Sequence, residues 1–151
     1  MYTDRVISRK TGFALAFFTL ALAIALVYGG TLNAPWYFDD VGNIVENRSI
    51  HNSALTLLDV FTSPRSLVKW TFALNYQLGG LNVQGYHLVN IGIHLLTSLL
   101  VYALLTRLLE NRRLLALSGA LLFAVHPLQT QAVTYIVQRM TSLSGLFFFL
   151  A

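Results

Sequence analysis

The sequence contains no cysteine and few charged residues. Charged side chains make up 11% of its 151 residues, whereas hydrophobic side chains make up 56%. The absence of cysteine excludes disulfides, thiolate nucleophiles and cysteine-ligated zinc from this chain. Soluble domains usually carry about 25% charged residues. The composition therefore argues against a soluble globular domain and favours a protein embedded in a membrane.

The net positive charge is small. Ten lysines and arginines against six acids give a formal charge of +4. Proteins that bind the phosphate backbone of nucleic acids present several cations on one surface, often with aromatic residues between them. The sequence has no such stripe, so we expect no nucleic-acid partner.

Long apolar runs divide the chain into predicted membrane spans at about residues 12–32, 87–109, 112–126 and 143–151. The first run reaches the ~20 residues that a helix needs to cross the hydrocarbon core. A cleaved signal peptide is the alternative, although its apolar core is usually only ~7–15 residues long. The last run is still apolar at residue 151. We therefore expect an all-α, multi-pass helical membrane protein, present here as the first part of a longer one.

Basic residues beside the predicted spans indicate the orientation of the chain. One group precedes the first span and a second group lies between the second and third spans, namely Arg5, Arg9, Lys10, Arg107, Arg112 and Arg113. The positive-inside rule places these groups, and hence the N-terminus, in the cytoplasm. In a bacterium the host membrane is then the plasma (inner) membrane. The segments 33–86 and 127–142 become outer loops on one face, and Ala54–Phe61 and Leu67–Leu78 are predicted amphipathic helices in the first.

Two adjacent carboxylates, Asp39 and Asp40, follow Trp36-Tyr37-Phe38 just beyond the first predicted span. Acids beside aromatic residues at a membrane surface are costly to ionise, because desolvation raises their pKa. A general base that removes a proton from a hydroxyl benefits from such a raised pKa. The alternative is that one of the two acids caps a helix that begins near Val41. From the residues alone both interpretations stand.

Polar residues also occur inside the second predicted span. His87, Asn90 and His94 lie at positions i, i+3 and i+7, which share one face of a helix. Polar side chains within a span usually face the bundle interior or an aqueous cavity. They could hold the helices together, and His87 is in addition a candidate for lining a site near the outer surface. The residues form no recognisable metal site, so the sequence gives no indication of a metal or other cofactor.

Arg139 is the sole cation of the second predicted outer loop. Its guanidinium could bind a phosphate through two parallel hydrogen bonds. It could equally extend to a lipid headgroup. At the start of the same loop, His126-Pro127 marks the end of a helix.

Three segments in order resemble one known family. YFDDVGNIVENRSI (37–50), RSLVKWTFALNYQLGGLNVQGYHLVNIGIHLL (65–96) and HPLQTQAVTYIVQRMTSLSGLFF (126–148) look like the membrane region of the transmembrane and tetratricopeptide-repeat-containing proteins. That family includes bacterial members and eukaryotic O-mannosyltransferases, and its membrane part belongs to the GT-C class of glycosyltransferases. Two positions depart from the family pattern, since Ser66 replaces an expected proline and Gln131 replaces a common acid.

The resemblance implies transfer of a sugar from a polyprenyl-phosphate donor to a protein or glycan acceptor outside the cytoplasm. It implies that Asp39 or Asp40 is the catalytic base and that Arg139 and His126 are candidates for binding the donor phosphate. It further implies a C-terminal region of tetratricopeptide repeats, which this chain does not contain. Expected partners are membrane lipid, the lipid-linked sugar donor and the acceptor. The alternative function is a non-catalytic membrane scaffold or a transporter fragment.

Overall fold

The computed structural model describes residues 9–51 and 65–151, and every regular element in these two ranges is helical. The predicted all-α class is therefore confirmed. The predicted amphipathic helix Ala54–Phe61 lies outside the described residues. The α-helices are α1 (Arg9–Tyr28), α2 (Arg48–His51), α3 (Ser66–Gly79), α4 (Val83–Leu108), α5 (Arg113–Ala124), α6 (Gln129–Thr134) and α7 (Arg139–Leu150).

Two described helices are long and apolar enough to cross a membrane. The first comprises Thr11–Asn33, where a 3₁₀ turn over Gly29–Asn33 extends α1, and the second is α4. At about 1.5 Å per residue, the 26 residues of α4 extend about 39 Å, more than the ~30 Å hydrocarbon core. Shorter apolar helices occupy Arg113–Ala124 and Ile136–Leu150. These helices make the chain a helical membrane protein.

Helices α1 and α5 pack through faces whose residues are four positions apart in the sequence. The buried face of α1 carries Ala16, Leu20, Ile24 and Tyr28, and that of α5 carries the alanines 116, 120 and 124. Small side chains let two helix backbones approach closely, which is how helices associate where lipid removes the hydrophobic driving force. Helix α4 packs against both, and also against α7. It is therefore the central helix of the described bundle.

A second cluster of apolar side chains lies at one end of the bundle. It joins Ile44 and Ile50 to Phe72 of α3, Tyr86 of α4 and Ile136. Helix α3 buries Phe72 with Val68 and Ala73 while Leu78 is exposed, so the predicted amphipathic character of Leu67–Leu78 is confirmed. This cluster fixes the segment after α1 and the segment before α7 to the same end of α4.

The polar face of α4 points into the bundle. His87, Asn90 and His94 are all less than 5% exposed, and each hydrogen-bonds a backbone carbonyl of another segment. The prediction that this face is internal is confirmed. At the predicted helix end, α5 stops at Ala124, two residues before His126.

Candidate functional site

The segment that carries the two adjacent acids makes a sharp turn. Trp36 packs edge-on against Tyr86 of α4, with ring centroids 4.9 Å apart, and fixes where the chain enters the turn. Phe38 then adopts a positive φ of 43°, a conformation that is a genuine outlier for a bulky side chain. Phe38 is nevertheless 78% exposed, so burial of its side chain does not compensate for the strain. Strained residues that the surrounding structure holds in place occur preferentially at functional sites.

Asp40 holds this turn from inside. Its side chain is only 1% exposed, and its two oxygens accept the backbone N–H groups of Tyr37 at 3.1 Å and Val137 at 2.8 Å. The helical turn Val41–Val45 follows, and Asp40 makes no side-chain bond to it. The helix-capping interpretation is therefore wrong for Asp40, because its carboxylate binds backwards along the chain and across to a distant segment.

Burial is the main influence on the ionisation of Asp40. Desolvation raises the pKa of its carboxyl above the ordinary value, while the N–H groups of Tyr37 and Val137 and the nearby His87 oppose that shift. The adjacent Asp39 adds a smaller contribution that raises the pKa further. The carboxylate is thus a costly charge that two backbone donors hold in place.

Asp39 faces the other way. Its side chain is exposed, its backbone N–H donates to the Tyr135 hydroxyl at 3.1 Å, and its carbonyl accepts from the Asn43 amide at 2.8 Å. It lines a cavity of about 230 Å³ together with Arg65 and Lys69. The turn therefore separates the two acids, because one anchors the loop and the other lies at an accessible cavity.

Arg65 and Lys69 are functional candidates that the sequence reasoning missed. They lie one helical turn apart at the start of α3, and both side chains are exposed. Positions i and i+4 share one face of a helix, so their spacing was a usable signal. The sequence could not show that this face shares a cavity with Asp39, because that depends on the packing of α3 against the segment that follows α1.

Arg139 is completely buried, with 0% of its surface exposed. Its Nε donates to Asn90 Oδ1 at 2.7 Å, its Nη1 to Asn75 Oδ1 at 2.8 Å and Thr71 Oγ1 at 3.2 Å, and its Nη2 to the Tyr86 carbonyl at 3.0 Å. The guanidinium also lies over the Phe72 ring, 4.5 Å from its centroid.

The lipid-headgroup and phosphate interpretations of Arg139 both assumed an exposed guanidinium. A guanidinium has five N–H donors, and the four bonds above leave one for any ligand. The role of Arg139 towards a donor phosphate stays a prediction, but the bidentate arrangement would require these internal bonds to change.

The two histidines predicted near the site lie in different surroundings. His87 is 1% exposed, and its Nε2 donates to the Ala34 carbonyl at 3.2 Å. Its Nδ1 is buried and makes no hydrogen bond to the described part of the chain. His126 is exposed, and its Nδ1 accepts the backbone N–H of Leu128. The structure thus places His87 beside Asp40, whereas the hydrogen bond of the His126 ring is local.

Within residues 9–51 and 65–151 no three histidine or carboxylate side chains are grouped so that they could hold a metal ion. The chemical groups at this end of the bundle are thus an exposed carboxylate beside two cations, supported by a buried carboxylate and a buried guanidinium. Such a set can accept a proton and bind an anion in one cavity.

Fold and site together define a helical membrane protein with a polar site at one end of its bundle. The chain is 37% identical to protein O-mannosyl-transferase TMTC1 of Homo sapiens over 98% of its own length and 19% of that protein's. It is 35% identical to the TMTC3 protein of Mus musculus, over 85% of this chain and 15% of that protein. It is 37% identical to Tmtc1 of Drosophila melanogaster, over 79% of this chain and 15% of that protein.

The chain therefore belongs to the transmembrane and tetratricopeptide-repeat-containing (TMTC) family, as the resemblance indicated. It spans less than a fifth of the length of these curated relatives. No family model and no solved structure matches it.

Proposed function

We propose that this chain forms the base-carrying part of a membrane glycosyltransferase that transfers mannose from a polyprenyl-phosphate donor to a hydroxyl of a protein acceptor. Its TMTC relatives are named protein O-mannosyl-transferases, which supports the sugar and the class of acceptor. The observation that carries the proposal is the placement of Asp39, an exposed carboxylate on a strained turn that faces a cavity with two cations.

Asp39 is the proposed general base. The acceptor oxygen attacks C1 of the mannose while its proton passes to the Asp39 carboxylate. The bond between C1 and the phosphate oxygen breaks, and the polyprenyl phosphate leaves with the electron pair. Such a transfer passes through an oxocarbenium-like transition state and needs one base on the acceptor side. Because Asp40 is almost entirely buried, an acceptor reaches Asp39 more readily.

Arg65 and Lys69 are the proposed partners of the donor phosphate. They line the same cavity as Asp39, so a phosphate between them would lie opposite the base. Negative charge grows on the leaving phosphate during transfer, and fixed cations stabilise that charge. Arg139 and His126 remain candidates for the same role. Arg139 is a weaker candidate because it has a single uncommitted N–H, and His126 is a weaker one because it does not line the cavity.

The topology follows from the placement of the charges. We propose that the start of α1 and the α4–α5 turn lie in the cytoplasm, because both carry clustered basic residues. The Asp39 cavity then lies on the outer face, where a lipid-linked donor and a secreted or membrane-bound acceptor meet. Membrane lipid surrounds the exposed apolar side chains of α1, such as Phe18, Leu22 and Leu26.

Transfer by the full-length protein tests this function. Purified protein in lipid vesicles is given radiolabelled mannose on a polyprenyl phosphate or on a nucleotide, together with an acceptor polypeptide. The proposal expects label on the acceptor from the lipid-linked donor and none from the nucleotide sugar. Label from the nucleotide alone contradicts the donor class. No transfer from either donor favours the alternative, a membrane scaffold or transporter.

A further inference from the structure

One peptide group links the buried arginine to the buried carboxylate. The Ile136 carbonyl accepts the Asn90 side-chain amide at 3.3 Å, and the Val137 N–H of the same peptide donates to Asp40 Oδ1 at 2.8 Å. On the other side of Asn90, its Oδ1 accepts Nε of Arg139 at 2.7 Å. Two amide groups in series thus connect the guanidinium to the carboxylate.

All the bonds of this series point in the same direction. The guanidinium donates to the first amide, the first amide donates to the second, and the second donates to the carboxylate. Hydrogen bonds aligned in this way polarise one another, by about 10–30% per bond in condensed-phase estimates. The positive charge of Arg139 therefore strengthens the donor that holds Asp40, although the two residues share no direct bond.

The held carboxylate in turn fixes the strained turn. The other oxygen of Asp40 accepts the Tyr37 N–H, immediately before the positive-φ residue Phe38. A protonated carboxyl would turn one oxygen into a donor and lose one of these two bonds. The turn that presents Asp39 is thus stable in this form while Asp40 is ionised.

We propose that Arg139 and Asn90 are positioning residues that keep Asp40 ionised and in place, and through it hold Asp39 in the cavity. The inference rests on the proposed function, in which Asp39 is the base. It assigns Arg139 a task that its complete burial permits, and it gives the polar face of α4 a role in the reaction besides packing.

The rate of transfer should depend on pH through the ionisation of Asp40. The titratable groups near the Asp40 carboxylate are Asp39 beside it, His87 of α4, and Tyr135. Arg139 acts on it only through Asn90 and the peptide between Ile136 and Val137. Burial raises the pKa of Asp40. Because the ionised form is the active one, activity falls as the pH drops through that raised pKa. Weaker donation from Val137 raises the pKa further, so activity is then lost at a higher pH.

Two matched substitutions in the full-length protein separate positioning from packing. Asn90→Ala and Asn75→Ala each remove one buried amide acceptor of Arg139, but only the first breaks the link to Asp40. In the pH profile of kcat, we expect Asn90→Ala to move the acid limb to a higher pH, by about half a pH unit or more. Asn75→Ala should leave the limb at its wild-type pH. The position of the limb does not depend on how much protein folds.

An unmoved limb in Asn90→Ala, or an equal shift in both variants, overturns the proposal. If Asn90→Ala does not accumulate, Asn90→Asp replaces it, because its carboxylate still accepts from Arg139 but cannot donate to the Ile136 carbonyl. An unmoved limb in that variant overturns the proposal as well. Asp39→Asn distinguishes a failure of the proposed base from a failure of the positioning role. Full activity of Asp39→Asn refutes Asp39 as the base. If Asp39→Asn is inactive but the acid limb of Asn90→Ala is unmoved, only the positioning role is refuted.

Discussion

The backbone N–H of Val137 donates to Oδ1 of Asp40 at 2.8 Å, which joins two residues 97 positions apart in the chain. The bond connects the segment that follows the first membrane helix to the segment that precedes α7. It brings Asp39, Tyr135 and Arg139 to one end of the bundle. The candidate site therefore depends on tertiary packing, since neither segment forms it alone.

The two cations of the cavity should contribute to donor use. In the full-length protein, Arg65→Gln or Lys69→Gln removes a charge-assisted contact with the donor phosphate, and we expect kcat/KM for the lipid-linked donor to fall by about tenfold in each. Arg48→Gln is the matched control, because Arg48 is an exposed cation of α2 that does not line the cavity. Equal values for all three variants would remove Arg65 and Lys69 from the site.

Replacement of the buried guanidinium should destabilise the protein. Arg139→Met leaves the side-chain oxygens of Asn75 and Asn90 without their donor. Unsatisfied buried acceptors cost about 1–3 kcal/mol each. We expect the melting temperature of the detergent-solubilised full-length protein to fall well below that of an Arg48→Met control, as measured by size-exclusion chromatography after heating. A melting temperature equal to that of the control would mean that the Arg139 bonds contribute little to stability.

The helices and the internal polar face could be predicted because both depend on local spacing. Apolar runs of sufficient length define α1 and α4, and the i, i+3, i+7 pattern of His87, Asn90 and His94 identifies a face that cannot meet lipid without cost. The adjacent acids also stood out, because two carboxylates beside three aromatic residues are expensive at a membrane surface.

The different roles of the two acids, Asp40 in holding the turn and Asp39 at the cavity, could not be predicted. They depend on the positive φ of Phe38 and on a donor supplied by Val137, and neither has a signal in the local sequence. The burial of Arg139 was missed for the same reason, since its partners come from α3 and α4. A lone arginine at a helix start is compatible with solvent, lipid or a buried polar pocket, and only the tertiary contacts decide among them.

The proposed orientation can be measured directly. Single cysteines replace Glu46 and Asn111, both exposed, in a full-length protein from which any other cysteines have been removed. Intact cells are then treated with a membrane-impermeant maleimide. We expect labelling at position 46, and labelling at position 111 only after the membrane is opened. The reverse pattern would place the Asp39 cavity in the cytoplasm and exclude the proposed donor geometry.

The central claim is that the Asp39 carboxylate removes the proton of the acceptor hydroxyl. Asp39→Asn tests it, because the amide keeps the size of the side chain but cannot take up that proton. The backbone bonds of Asp39 with Tyr135 and Asn43 do not involve the carboxylate, so the turn should persist. Glu46→Gln is the control, since it neutralises another exposed acid of the same segment.

The measurement is the rate of labelled mannose transfer from polyprenyl phosphate by the full-length protein, at equal amounts of folded protein. Removal of a general base typically costs ~10²–10⁴ in rate, and we expect a loss of that size in Asp39→Asn with a near wild-type rate in Glu46→Gln. Transfer by Asp39→Asn at a rate close to that of the wild type would contradict the assignment of Asp39 as the base.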